Sequence, residues 1–171
     1  MIAHRSKVTT CDYFAAPDRA QALQTALARW LGTPFRRLGA VPGPDGGINC
    51  TRFPHEVLVE TGWMDRIPED QIPDLPVNWR ALSSAPLLVH CIGGLGLMNR
   101  CRGVESLDDA PIGSVLLFGY DGRYPAHMGI RSSVDDMVHC LQIGGVQAIG
   151  LYHTFVKRYF RYALVPQEAA K

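Results

Sequence analysis

Hydrophobic and polar positions follow two different periods along this chain, and the change between them divides it in two. In the segment Pro17–Leu31, residues Leu23, Ala26, Leu27, Trp30 and Leu31 fall at the spacing of a core-facing helical stripe. Pro17 suits the first turn of that helix, and Gly32 ends it. A second helical pattern starts at Asn49, a strong N-cap type, with Cys50 at the first helical position. Phe53, Val57 and Leu58 then share an apolar face with Cys50, and Gly62 is the breaker. Pro54 removes an N–H and crowds the carbonyl four residues back, so a bend is expected there. A third helix is expected from Trp79 towards Asn99, capped by Asn78 and interrupted by Gly93, Gly94 and Gly96, with His90 as a hydrogen-bonded core residue. The connections are a Gly- and Pro-rich loop, Thr33–Gly47, and a proline-punctuated stretch, Trp63–Val77.

Beyond Leu107 the period shortens to that of strands. Val115–Tyr120, His127–Arg131, Asp136–Gln142, Gly145–Tyr152 and Arg158–Pro166 are predicted as five strands, with a turn at Asp121, Gly122 and Pro125 and another at Ser132–Asp135. Residues 1–16 form a lead-in, partly strand-like at Lys7–Thr10, and the tail from Gln167 is loose. Helices followed by an antiparallel meander give an α+β fold, and nothing in the pattern splits residues 1–171 into two domains.

Composition adds exclusions. Of the 171 residues 47% are hydrophobic and 19% charged, which describes a globular chain rather than a disordered one. A net charge of +1 gives no electrostatic reason to expect nucleic acid as the partner. No apolar run is long enough to span a membrane, and the N-terminus lacks the apolar region of a signal peptide, so synthesis in the cytoplasm is expected. Five scattered cysteines, Cys11, Cys50, Cys91, Cys101 and Cys140, argue against a disulfide framework. Both His90–Cys91 and His139–Cys140 are His-Cys pairs, but neither has the tight two-residue knuckle of a zinc site, so no metal or other cofactor is expected.

The chemistry worth testing begins at Cys50. A thiol at a helix N-terminus meets the positive end of the macrodipole and unpaired N–H groups, which favour the thiolate and offer donors to an oxyanion. A cysteine on an apolar helical face is also commonly an inert core residue, and the helix alone does not decide between the two. A nucleophilic thiol needs a base, and the base needs a partner to hold its ring. His127 and His139 lie on consecutive strands joined by a short turn, which places them near each other across a hairpin.

Those residues also carry a resemblance. The run W-L-G-T-P-F…G-G-I-N-C, with H-M-G-I at 127–130 and D-M-V-H at 136–139, resembles the NlpC/P60 family of cell-wall cysteine peptidases. The corresponding family motifs are W-x-G-T-P-Y…G-x-D-C-S-G-F, H-V-G-I-Y and M-I-H-A. Trp30, Gly32, Thr33, Pro34, Cys50, Phe53, His127, Gly129, Ile130, Met137 and His139 fit in order and spacing. The resemblance covers about Ala20 to Pro166, and Trp63–Asp109 adds nothing specific. It implies a papain-like fold in which Cys50 is the nucleophile, His127 the general base and then acid, and His139 the orienting third residue. It also implies cleavage of the peptide stem of peptidoglycan, typically next to D-glutamate. The compact form is most similar to peptidases encoded among phage tail genes, which implies a virion tail-tip location with tail-tip or hub proteins as partners. Four candidate substrate-binding or oxyanion positions depart from the pattern: Asn49 replaces Asp, Thr51 replaces Ser, Arg52 replaces Gly and Phe35 replaces Tyr. Gly113-Ser114 stands where the family has Gly-Asp before its strand. Asn49 removes a carboxylate that helps grip the amino end of the stem, and Phe35 removes a hydroxyl. These departures set a second expectation beside the enzyme, a structural tail-tip component whose papain-like domain has lost catalysis.

Overall fold

The computed structural model describes residues 12–72, 86–120 and 124–168. The expected strand at Lys7–Thr10, the cap at Asn78 and the turn residues Asp121 and Gly122 lie outside them.

The helix α1 spans Pro17–Trp30 and buries Leu23, Ala26, Leu27 and Trp30. Leu31, expected in the same stripe, is 44% exposed because the chain leaves the helix there, at ψ 133°. Before α1, a 3-10 turn at Asp12–Ala15 inserts Phe14 fully into the core, so this part of the lead-in belongs to the packed domain. The Gly- and Pro-rich stretch after α1 is more ordered than a loop. Within it β1 (Ala40–Val41) pairs antiparallel with β2 (Gly47–Ile48), and Phe35 forms a parallel bridge to Ile48.

The helix α2 covers Arg52–Glu60, runs through Pro54 and stops before Gly62, whose φ of +72° is open to glycine at little cost. It packs against α1, and Trp30 Nε1 donates to Glu60 Oε1 at 3.1 Å. Burial extends beyond its apolar face, since Arg52, His55 and Glu56 are buried with Phe53, Val57 and Leu58. The third expected helix is described from Leu87 onwards, as α3 (Leu87–Gly94) and α4 (Leu97–Arg100), broken at Leu95–Gly96. His90 is a correction: it is exposed, while the buried positions of α3 are Leu88, Cys91 and Ile92.

The sheet has six antiparallel strands where five were expected: β3 (Cys101–Val104), β4 (Val115–Phe118), β5 (His127–Arg131), β6 (Asp136–Leu141), β7 (Gly145–Gly150) and β8 (Phe160–Pro166), in the order β3-β8-β4-β5-β6-β7. Strands β4 to β7 form the expected meander, and β8 then returns to the free side of β4 and takes β3 on its outer edge. Only Val104 of β3 is buried, so that strand has no alternation to betray it. The last strand starts at Phe160 rather than Arg158, because Thr154–Tyr159 forms a short helix, α5. Its cap is His153, whose Nδ1 accepts from the Phe155 N–H at 3.1 Å. Strands β4 and β5 are buried at every position, so both faces of the sheet centre are covered.

Candidate active site

The turn that carries Cys50 is held by its neighbour. Asn49 Oδ1 accepts from the Thr51 and Arg52 N–H groups at 2.9 and 2.8 Å, and the Asn49 carbonyl accepts from Phe53 N–H at 3.0 Å. Asn49 Nδ2 meanwhile donates to the Arg37 carbonyl at 2.7 Å, which ties the preceding loop to the helix mouth. One side chain therefore caps α2 with its oxygen and clamps the approach with its nitrogen. A carboxylate supplies only the first of these functions. Cys50 follows as a half-buried residue packed against the core. Thr51 is buried, and Phe35 is half-buried against the core beside Ile48.

Arg52 is buried, and its ion network runs from the buried Glu56 out to the exposed Glu69. Its guanidinium meets both carboxylate oxygens of Glu69, at 2.6 and 2.7 Å, and lies 3.8 Å from Glu56 Oε1. Hydrogen bonding to Glu69 raises its pKa against the opposing effect of burial, so it stays cationic. Burial pushes the Glu56 carboxyl up, but the neighbouring His55 and the hydrogen bond from Arg66 outweigh it and hold the pKa below the usual range. Glu56 thus gathers the fully buried His55, 3.3 Å away, together with Arg66 and Arg52, on the turn after the cysteine.

The two histidines meet on the sheet. Gly129 of β5 lies directly opposite His139 of β6, and His127, two residues before Gly129, shares its face. The rings connect through His127 Nε2 and His139 Nδ1, 3.0 Å apart. A Cβ on Gly129 would lie 2.9 Å from His139 Cβ and 2.8 Å from the Val138 carbonyl oxygen, so the pairing needs a residue without a side chain there. Both histidines are 1% exposed. Burial, followed by the nearby charge of His153, lowers the His139 pKa to about 4, and its ring is neutral at physiological pH. Proton placement follows by assignment. With His139 accepting at Nδ1, His127 donates from Nε2–H and is left with Nδ1 to take a proton. His139 then carries its own proton on Nε2, which is buried without a hydrogen-bond partner.

Elements of the two halves dock at this place. Helix α2 packs against β5. Cys140, the residue after His139, donates from Sγ to the carbonyl of Ile48 at 3.3 Å, two residues before Cys50. Burial, with a further contribution from Cys50, pushes the Cys140 thiol up to about 12, so Cys140 stays protonated. The histidine pair also has a cover that the sequence did not suggest. The Phe155 ring of α5 lies 6.0 Å from the His127 ring and 5.9 Å from the His139 ring, and 5.2 Å from Phe118. An aromatic residue in a short, aperiodic segment leaves no signal that it reaches across to a histidine. Among the described residues no three His, Cys, Asp or Glu side chains are grouped as metal ligands.

Helices leading into an antiparallel sheet, with a cysteine at a helix mouth and paired histidines on adjacent strands, make this an α+β domain. More narrowly, the fold is that of NlpC/P60 domains. It superimposes on a lipoprotein-like NlpC/P60 protein of Staphylococcus aureus with a TM-score of 0.56 and 15% identity, over 95% of this chain and 45% of that one. The NlpC/P60 domain of the peptidoglycan hydrolase SagA gives 0.53 and 18%, over 85% of this chain and 97% of that one. An NlpC/P60 family protein of Bacillus cereus gives 0.54 and 20%, over 84% and 39%. No family model and no curated protein sequence matches the chain.

Proposed function

We propose that this protein is a cysteine peptidase that cleaves the peptide stems of peptidoglycan. The observation that carries the reading is the 3.0 Å contact between His127 Nε2 and a His139 held neutral by burial. A neutral acceptor behind His127 stabilises the imidazolium that forms when the base takes a proton, and cannot itself compete for that proton. The substrate class comes from the fold, since one structural neighbour is a peptidoglycan hydrolase.

In this mechanism the Cys50 thiol proton passes to His127 Nδ1, and the sulfur attacks the scissile carbonyl carbon. The family resemblance implies the Cys50 N–H as the oxyanion donor, and the Thr51, Arg52 and Phe53 N–H groups beside it are committed to Asn49. The tetrahedral species collapses as His127 gives its proton to the departing amine, leaving a thioester. Water then attacks the thioester with His127 as base, releasing the new carboxylate and restoring the thiol. Mass spectrometry of purified muropeptides after incubation should show a new amine and a new carboxyl end, typically beside D-glutamate, and none with Cys50→Ala. Full cleavage by Cys50→Ala would sink the proposal.

Delivery on a phage or phage-like tail belongs to the same proposal, with tail-tip or hub proteins as partners. The second reading, a tail-tip component without catalysis, is favoured by Asn49 and Arg52 being engaged by the fold rather than offered to a substrate. Virions carrying Cys50→Ala separate the two: infection is impaired if the enzyme is needed, and intact if the domain is structural.

A further inference from the structure

The aromatic cover of the histidine pair continues outward to the surface and ends on a cation. From Phe155 the rings run to Tyr159, 5.6 Å away, and to Tyr120, 6.0 Å away, with Tyr120 and Tyr159 themselves 5.1 Å apart. Tyr120 is 39% exposed. The Arg158 guanidinium lies over the Tyr159 ring at 5.4 Å, on the exposed side of α5. Arg19, Arg29, Arg52 and Arg66 all pair with glutamates, whereas Arg158 has no carboxylate partner among the described residues. The sequence around it contains no Asp or Glu between Asp136 and Glu168, while it carries Lys157, Arg158 and Arg161. This end of the histidine face therefore presents apolar ring surface and positive charge together.

We propose that Arg158, over the ring of Tyr159, is the subsite for a free carboxylate of the substrate peptide, so that the protein prefers stems bearing carboxylates over stems in which they are amidated. The proposal rests on the peptidase reading and adds the part of the substrate that is recognised. The scale fits: His127, Phe155, Tyr159 and Arg158 are joined by three contacts of 6.0, 5.6 and 5.4 Å, which at most about five extended residues would span. A planar guanidinium over a ring face offers its N–H edge for a two-point bond to a carboxylate, and a neutral carboxamide accepts at one oxygen only.

The test uses two synthetic stem peptides that differ only in carboxylate versus carboxamide, and reads the ratio of their kcat/KM values. Taking a ratio cancels general damage to the enzyme. For the unmodified protein the ratio should favour the carboxylate by about tenfold, corresponding to ~1.4 kcal/mol, and should decline as salt is added. Arg158→Glu should bring the ratio to one or below, and Arg158→Lys should retain part of it. Equal cleavage of both peptides, or a ratio that Arg158→Glu leaves unchanged, overturns the subsite and leaves the peptidase standing. If neither peptide is cleaved, the peptidase reading fails and calorimetric binding of the same peptides to the Cys50→Ala protein decides the subsite. Preferential binding of the carboxylate form that Arg158→Glu abolishes supports it, and equal or no binding overturns it.

Discussion

Replacing Gly129 by alanine tests the geometry of the histidine pair at one carbon atom. The added Cβ would sit 2.5 Å from Met137 Cε, 2.8 Å from the Val138 carbonyl oxygen and 2.9 Å from His139 Cβ. The methionine end can swing away. The other two contacts are fixed to β6, so that strand must retreat from β5 by several tenths of an ångström, at the register point Gly129↔His139. Overpacking of this kind costs about 1–3 kcal/mol. Against it stands the smaller conformational freedom of unfolded alanine, worth about 0.4–1 kcal/mol. The net expectation is a loss of about 1–2 kcal/mol in urea unfolding at unchanged m-value. The larger effect falls on chemistry, because the same retreat lengthens the 3.0 Å bond that orients His127. Misplacement of a catalytic group approaching an ångström can cost about a hundredfold, so kcat should fall by roughly 10–100-fold with little change in KM. A Gly129→Ala protein as stable as the parent, with undiminished kcat, would refute the claim that this close approach positions the pair.

Asn49→Asp restores the family's residue and keeps the cap, but loses the bond to the Arg37 carbonyl and sets a carboxylate against it. It should lower stability by about 1–2 kcal/mol, read by thermal denaturation, and a stabilised variant would show that the amide clamp is unimportant. His139 gives a pH dependence whose sign is fixed. Its folded pKa of about 4 lies below the ordinary 6.5, so the unfolded chain binds the extra proton between those values. Stability should be flat above pH 6.5 and fall by about 3 kcal/mol as pH drops towards 4, and a His139→Gln variant should lack that component. Glu56→Ala leaves the buried Arg52 and His55 without their shared carboxylate and should cost about 3 kcal/mol, whereas a loss below about 1 kcal/mol would mean that Arg52–Glu69 suffices alone.

Local pattern determined much of this protein. The apolar stripe of α1, the asparagine before Cys50, the breaker at Gly62 and the strands β4 to β7 were legible because each depends on residues close in sequence. The histidine pair was legible for the same reason, since a short hairpin nearly fixes its own register. What only the tertiary structure decided concerns partners distant in the chain. The return of β8 to β4, the edge strand β3, the burial of Arg52 against Glu69, the docking of Ile48 onto Cys140 and the placement of Phe155 over two histidines carry no periodic signal. His90 shows the converse: an apolar sequence context suggested the core, and the packing of α3 turned it to the surface. Periodicity records which face of an element is apolar, whereas long-range packing chooses what that face meets and which polar groups are buried with it.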